Sequence, residues 1–481
     1  MNDYIPQLTR REMVRLGGLS IAGYSLLPTF RPYQVQAKET VQPRGGAEVC
    51  IFVDLMGGPS QLDSFDVKEG SWTPEDFDIR QTKHGIRMPA GLLPKLTERL
   101  DQYAIIRSLE TWENAHVRGT YYLQAGRVLS PARLKEIPSV GSVVAYETMA
   151  ASKDSDFLPP FVSMNMDPFQ LVGCGMLSAK FAPLVAGEAQ ILNSRMSRMD
   201  TSMPLLVPES ERETFDERRE LLAKLDRQWR QLDSHRGRIF DDIDDYYQSA
   251  YHTMKDSRAE SVFHVAPEDH QRYGNSGVGD ACAVARNIVE ADGGTRFIFI
   301  AQDGWDFHGN IYEGSDYYDY HEKKVVERGW SQYQMCHDLD AALGTLIDDL
   351  GARTDAHGSR LLDKTLIVSM GEFGRTPGPL NETKGRLHWP QAGFALVAGA
   401  NVSGGKVLGA TDDQGGKVVE TGWHKDRSIY PEDVLATLYS AMGIDWTKKI
   451  TSTPSGRAFE YIENISPKGA MQFDEVSELF S

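Results

Sequence analysis

"LIVSMGEFGRTPGPLNETKGRLHWP" (residues 366–390) begins as an unbroken apolar run and turns sharply polar. A strand apolar along its whole length is buried on both faces, and such strands belong to parallel sheets covered by helices. The run ends by delivering Glu372, Arg375 and His388 around glycines and a flexible "NETKG" loop. In open α/β sheets ligands bind beyond the carboxyl ends of the strands. This one stretch therefore predicts a fold and the place of a site in it.

The rest of the chain agrees with that reading. "EVCIFVDL" (48–55), "YAIIRSL" (103–109), "RFIFIAQDG" (296–304), "TLIVSMGEF" (365–373) and "FALVAGA" (394–400) read as buried strands. Helical patterns lie between them at 139–150, 279–293 and 336–351. Alternation of these two patterns predicts an α/β fold with a large, mainly parallel sheet between helices. The charge-dense segment 205–258 reads as a helical insertion with a solvated face. The turn-rich stretch 402–420 reads as a surface hairpin.

With 481 residues, 41% of them hydrophobic, the chain can bury a large core. Its formal charge of −17 argues against a nucleic-acid binder, because phosphate backbones reward clustered Lys and Arg. Cys50, Cys174, Cys282 and Cys336 show no CxxC spacing, so no zinc knuckle or redox pair is indicated, and Cys50 reads as a small core residue. At the N-terminus Arg10 and Arg11 precede a short apolar stretch, Leu16 to Leu27, that closes on "VQA" at Ala37. The stretch is too short for a bilayer span and reads as an export signal over residues 1–37 of the twin-arginine type. The expected location is periplasmic or extracellular, and no later segment reads as a transmembrane helix.

Four clusters at strand ends could carry chemistry. "DLMGGPSQLDSFD" places Asp54, Asp63 and Asp66 within 13 residues, around a tight turn. For Asp63 and Asp66 the plainer alternative is a turn cap. "DGWDFHGN" offers two carboxylates and an imidazole, donors that zinc, manganese or iron accept. Asp303 ends its strand and His308 follows five residues later. Glu372 ends the next strand, and Arg375 has the planar fork suited to phosphate, sulfate or a salt bridge to Glu372. "ENAHVRGTYYLQAGR" adds His116, Arg118 and Arg127. A basic and nucleophilic set beside an acidic set suits hydrolysis of an anionic ester.

"GGPSQLDSFD", "NAHVRGTYYLQAGR", "DGWDFHGN", "MGEFGRTP" with "GRLHWP", and "YPEDVLATLYSAMGID", in this order over residues 45–447, resemble the DUF1501 family. That family resembles sulfatases and the wider alkaline phosphatase superfamily. The resemblance implies a three-layer alkaline-phosphatase-like domain over 45–450, followed by a C-terminal tail at 451–481. It implies one or two divalent metal ions, zinc, manganese or iron rather than calcium, near Asp303, His308 and His388 and near Asp54 and Glu372, with Asp63 assisting. His116 stands where the superfamily places its Cys, Ser or Thr nucleophile, and Phe373 replaces the histidine of a usual Asp-His pair.

The expected function is an exported, metal-dependent hydrolase of phosphate or sulfate esters. Its substrate would be a small or polymeric anionic ester such as a sulfated glycan. Arg118 and Arg375 would neutralise the anion, and His116 would serve as nucleophile, base or ligand. The alternative is a non-catalytic exported protein that binds an anionic ligand or glycan in the same pocket.

Overall fold

All five apolar runs are strands in the computed structural model: β1 (Val49–Met56), β2 (Tyr103–Leu109), β5 (Phe297–Asp303), β6 (Thr365–Met370) and β7 (Gly393–Gly399). Three more join them: β3 (Phe161–Met164), β4 (Leu184–Ala186) and β8 (Lys406–Leu408). At three or four residues these are too short to show a period. β8 also corrects the hairpin expected at 402–420. Its residues add in parallel to β2, and only 410–411 and 418–420 pair as a hairpin.

The structure describes residues 41–186, 256–313, 316–319, 324–327 and 330–481, with short helical pieces between 213 and 253. The leader expected at 1–37 lies outside the described residues, as does most of the insertion expected at 205–258, of which 213–218 are helical. The chain divides into two units, 1–41 and 42–481, and the sheet with its helices belongs to the second. Residues 451–481, expected as a tail, pack into that unit through buried Phe459, Tyr461, Phe473, Val476 and Leu479. Among the described residues no helix is long and apolar enough to cross a membrane. Cys50, Cys282 and Cys336 are free and buried.

The eight strands form one sheet in the order β8-β2-β7-β6-β1-β5-β3-β4. β1 lies at its centre, parallel to both β6 and β5. β7 runs against its neighbours β6 and β2. An antiparallel strand enters the sheet at the rim where the parallel strands leave it. Residues just before β7, His388 among them, are thereby brought to the rim that receives the ends of β1, β5 and β6.

Period two sorts β1 between two helical layers. Ile51, Val53 and Leu55 join the core beneath α3 (Gly277–Ala291) and α4 (Gln332–Ala352). Phe52 faces the other layer, where it borders a small apolar cavity with Leu123 of α1 (His116–Ala125), Val140 of α2 (Val140–Glu147) and Leu435 of α5 (Pro431–Ala441). Burying each such side chain contributes roughly 1.5–3 kcal/mol. The same alternation puts Asp54 on the α1 side. α2, α3 and α4 each begin with a serine whose side chain accepts a first-turn N–H. α1 begins at Ala115, which has no side chain able to do so.

Candidate metal centre

His116, Asp306, His308 and His388 converge at the rim, with one donor atom of each within 4.8 Å of the others. His308 Nε2 lies 2.9 Å from His388 Nε2 and 2.9 Å from Asp306 Oδ1. His116 Nε2 is 3.3 Å and His388 Nε2 3.7 Å from that same oxygen. Tetrahedral donors at zinc–nitrogen bond lengths stand roughly 3.3 Å apart. The four groups are already spaced as ligands of one ion would be.

Two of the four are oriented through a second atom, and Asp306 is held on its cluster-facing oxygen. His116 Nδ1 lies 2.8 Å from Glu372 Oε1, and His388 Nδ1 lies 2.7 Å from the Asn114 carbonyl. Both partners are acceptors, so each Nδ1 carries a hydrogen, and loss of any proton on Nε2 would free its lone pair for an ion. Arg375 Nη2 donates to Asp306 Oδ1 at 2.6 Å. Burial opposes ionisation of Asp306, but hydrogen bonds from the three histidines and the Arg375 charge hold it far below the ordinary carboxylate range. Burial likewise opposes protonation of His116, yet Asp306 and Glu372 outweigh it and raise the imidazole to about 9.

Beside this cluster lies a second acidic group. Asp54 is fully excluded from water, and neither of its oxygens has a hydrogen-bond partner. Glu372 is equally buried. Its Oε1 accepts from Gly57 N at 2.9 Å and faces His116, while its Oε2 is unpartnered. Burial pushes the Asp54 carboxyl well above its usual range, and the neighbouring charges of Glu372 and Asp303 push it further. Gly119 lets α1 come this close, since a Cβ there would sit 2.7 Å from Glu372 Cβ.

The sequence-based site is therefore partly regrouped. His116, His308 and His388 come together as expected, but the carboxylate between them is Asp306. Asp303, expected as their partner, ends β5 and acts on Asp54 instead. Asp306 was legible in one respect: Asp306 and His308 flank buried Phe307, and alternate residues of an extended segment share a face.

Asp63 is not at the cluster. Its oxygens are committed to Arg386 at 2.6 and 3.2 Å, to Ser60 at 2.6 Å and to Tyr312 at 2.8 Å. Asp66 is similarly spent on Thr411, Lys68 and Arg107. Arg375, expected to meet an anion, is 1% exposed and bound to the Gly57, Gly58 and Arg386 carbonyls as well as to Asp306. Arg118 is exposed in the first turn of α1 but paired with Glu113 at 2.6 Å. The loop expected to be flexible at 381–385 is pinned to the backbone of residues 308–311. Phe373 packs its ring 4.5 Å from His388 and 5.1 Å from His116, so it shapes the pocket without offering a donor.

Among solved structures, an alkaline phosphatase superfamily protein from Vibrio parahaemolyticus is similar at 14% identity and TM-score 0.36, over 91% of this chain and 76% of that one. The PsFucS1 sulfatase from Pseudoalteromonas sp. is similar at 11% identity and TM-score 0.34, over 91% and 72%. The phosphonate monoester hydrolase of Agrobacterium radiobacter is similar at 9% identity and TM-score 0.36, over 90% and 77%. A search of curated proteins finds no match. The family model described as "Protein of unknown function (DUF1501)" matches residues 47–466, which hold every strand of the sheet and every residue of the cluster. The chain belongs to the DUF1501 family.

Proposed function

We propose that the protein is a metal-dependent hydrolase of phosphate or sulfate esters. The observation that carries this reading is the pair of buried carboxylates with unpartnered oxygens, Asp54 and Glu372, set against three converging imidazoles. An unpaired buried carboxylate costs several kcal/mol, and a cation would offset that cost. His116, Asp306, His308 and His388 would hold one divalent ion, and Asp54, Glu372 and Asp303 a second. When bound, such ions supply Lewis-acid polarisation of a phosphoryl or sulfuryl oxygen.

The chain's own groups fit the remaining tasks. The first turn of α1 begins at His116, itself a member of the cluster, and a helix N-terminus favours an anion. Arg118, in that same turn, would stabilise the ester's charge on leaving Glu113. His116 would move a proton at Nε2 or remain a ligand, with Glu372 fixing its ring in either role. The carboxylates of the site are answered by Arg375 and by the raised imidazole of His116, and burial favours the neutral form of Asp54. Bound cations would add the positive charge that attracts an anionic ester.

The test is elemental analysis of the full chain purified without a metal-binding tag, followed by assays with p-nitrophenyl phosphate and sulfate. Bound transition metal and turnover abolished by chelator are expected. A protein that takes up no metal on titration would sink the proposal. The second reading, a binding protein for an anionic glycan, is favoured by His116 standing in place of a hydroxyl or thiol and by the engagement of both Arg118 and Arg375. Glycan binding indifferent to chelator, without turnover, would select it. We also propose export through the twin-arginine route on the strength of Arg10, Arg11 and the apolar stretch after them.

A further inference from the structure

Two of the four cluster donors are fixed from behind by a partner on their far ring nitrogen, His116 by Glu372 and His388 by Asn114, and Asp306 is held by Arg375 on Oδ1, the oxygen that faces the histidines. Among the described residues His308 makes no hydrogen bond through Nδ1, and its side chain is 47% exposed. Its ring meets that of His388 edge-on, with centroids 4.7 Å apart. A further constraint on His308 comes through its own backbone. Asn381 Nδ2 donates to the His308 carbonyl at 3.0 Å, and Thr383 Oγ1 donates to the same oxygen at 2.7 Å.

Asn381 is well placed to transmit that constraint. Its Oδ1 accepts from Thr383 N at 3.0 Å and Gly385 N at 2.8 Å, so one amide organises the whole loop. Asn310 N, Ile311 N and Arg386 N bond across to the Thr383, Lys384 and Phe307 carbonyls, which ties the loop to both sides of His308. Lys384 adopts a left-handed φ of 59°, a strain of roughly 1 kcal/mol for a residue with a Cβ. A Cβ on Gly385 would meet the His308 carbonyl carbon at 2.2 Å, so the loop lies directly against the histidine's backbone.

We propose that Asn381, acting with Thr383 through the His308 carbonyl, is the positioning residue for His308. It does for this ligand what Glu372, Asn114 and Arg375 do for the others. The inference rests on the proposed metal centre and adds that the loop sets the affinity and geometry of that centre.

Asn381→Asp keeps the acceptor that organises the loop and replaces the donor to His308 with a repelling oxygen. In cobalt(II) titrations of the full chain, followed by the visible absorption of the ion, this variant is expected to lose about ten- to a hundredfold in affinity and to show an altered band. Its unfolding in chelator should stay close to the parent's. Thr383→Val should weaken cobalt binding and Thr383→Ser should restore it. In a His308→Ala background, Asn381→Asp should cost nothing further. Unchanged affinity and spectrum in Asn381→Asp, or a loss additive with His308→Ala, would overturn the assignment while leaving the metal centre standing. A parent chain that takes up no cobalt would overturn both. If Asn381→Asp fails to fold, the Thr383→Val and Thr383→Ser pair decides alone, equal affinities counting against the proposal.

Discussion

Asp54 and Asp63 lie nine residues apart in one glycine-rich motif, both excluded from water, and the fold treats them in opposite ways. Asp63 is met by Arg386, Ser60 and Tyr312, so its charge is answered inside the protein. Asp54 faces Glu372 and Asp303 and has no hydrogen-bond partner. A buried acid that is fully bonded holds structure together, whereas one left with bare oxygens beside like charges needs a proton or an external cation. Glu432 shows a third solution. Buried at the start of α5 against Tyr122, its carboxyl is pushed up to about 8 by burial, with Asp433 adding to the rise and the Tyr122 hydrogen bond opposing it. It keeps its proton at neutral pH.

The largest effect should come from breaking the answered pair. Arg386→Met leaves Asp63 charged and buried, and is expected to cost about 3–5 kcal/mol in urea unfolding, equally with and without added metal. Dependence of that loss on metal would mean that Asp63 belongs to the metal centre after all.

Glu432→Gln should act next, and only as pH rises. The folded state holds this proton between about 4.5 and about 8 while the unfolded chain releases it. The stability it contributes is therefore full below the unfolded value and lost as pH rises through about 8. Relative to the parent, the variant should gain a few kcal/mol between pH 5 and pH 9. A pH-independent difference between the two would show that the carboxyl ionises normally.

Asp54→Asn should sharpen the comparison from the other side. In chelator it relieves a crowded acidic pocket and is expected to raise stability by about 1–3 kcal/mol. It should also lose most of the extra stability that manganese or zinc gives the parent, because a cation stabilises only the state that binds it. Destabilisation in chelator would mark Asp54 as structural. The smallest effect, about 1 kcal/mol, is expected for Gly119→Ala, whose methyl would press on Glu372. Paired thermal scans of apo and metal-loaded protein would read it, with a larger loss in the loaded form.

The sheet was legible because its five long strands are apolar on both faces, and the site because polar residues follow four of them. What stayed hidden was hidden for physical reasons. Asp306 lies past the strand end, where the strand-end rule points to Asp303 instead. Asp63 differs from Asp54 through Ser60 and through Arg386 and Tyr312, the last two distant in the chain and so partners that spacing cannot reveal. Arg375 has the fork that an anion would want, but its use by three carbonyls and Asp306 depends on tertiary placement. His388 was expected at the site by the resemblance, and the physical reason it arrives there, the antiparallel run of β7, shows only in the sheet.

β1 is the first strand of the sheet to be synthesised and the one at its centre. Its nearer partner, β5, begins about 240 residues later, and β6 later still. At roughly 5–20 residues per second, translation leaves this eight-residue apolar segment without a neighbour for on the order of 12–48 s. The nascent chain must be shielded from aggregation over that interval, and a ribosome stalled before residue 297 should yield an insoluble fragment however many earlier helices it carries. In this protein the central strand of the sheet can pair with either neighbour only after the chain beyond residue 297 has been made.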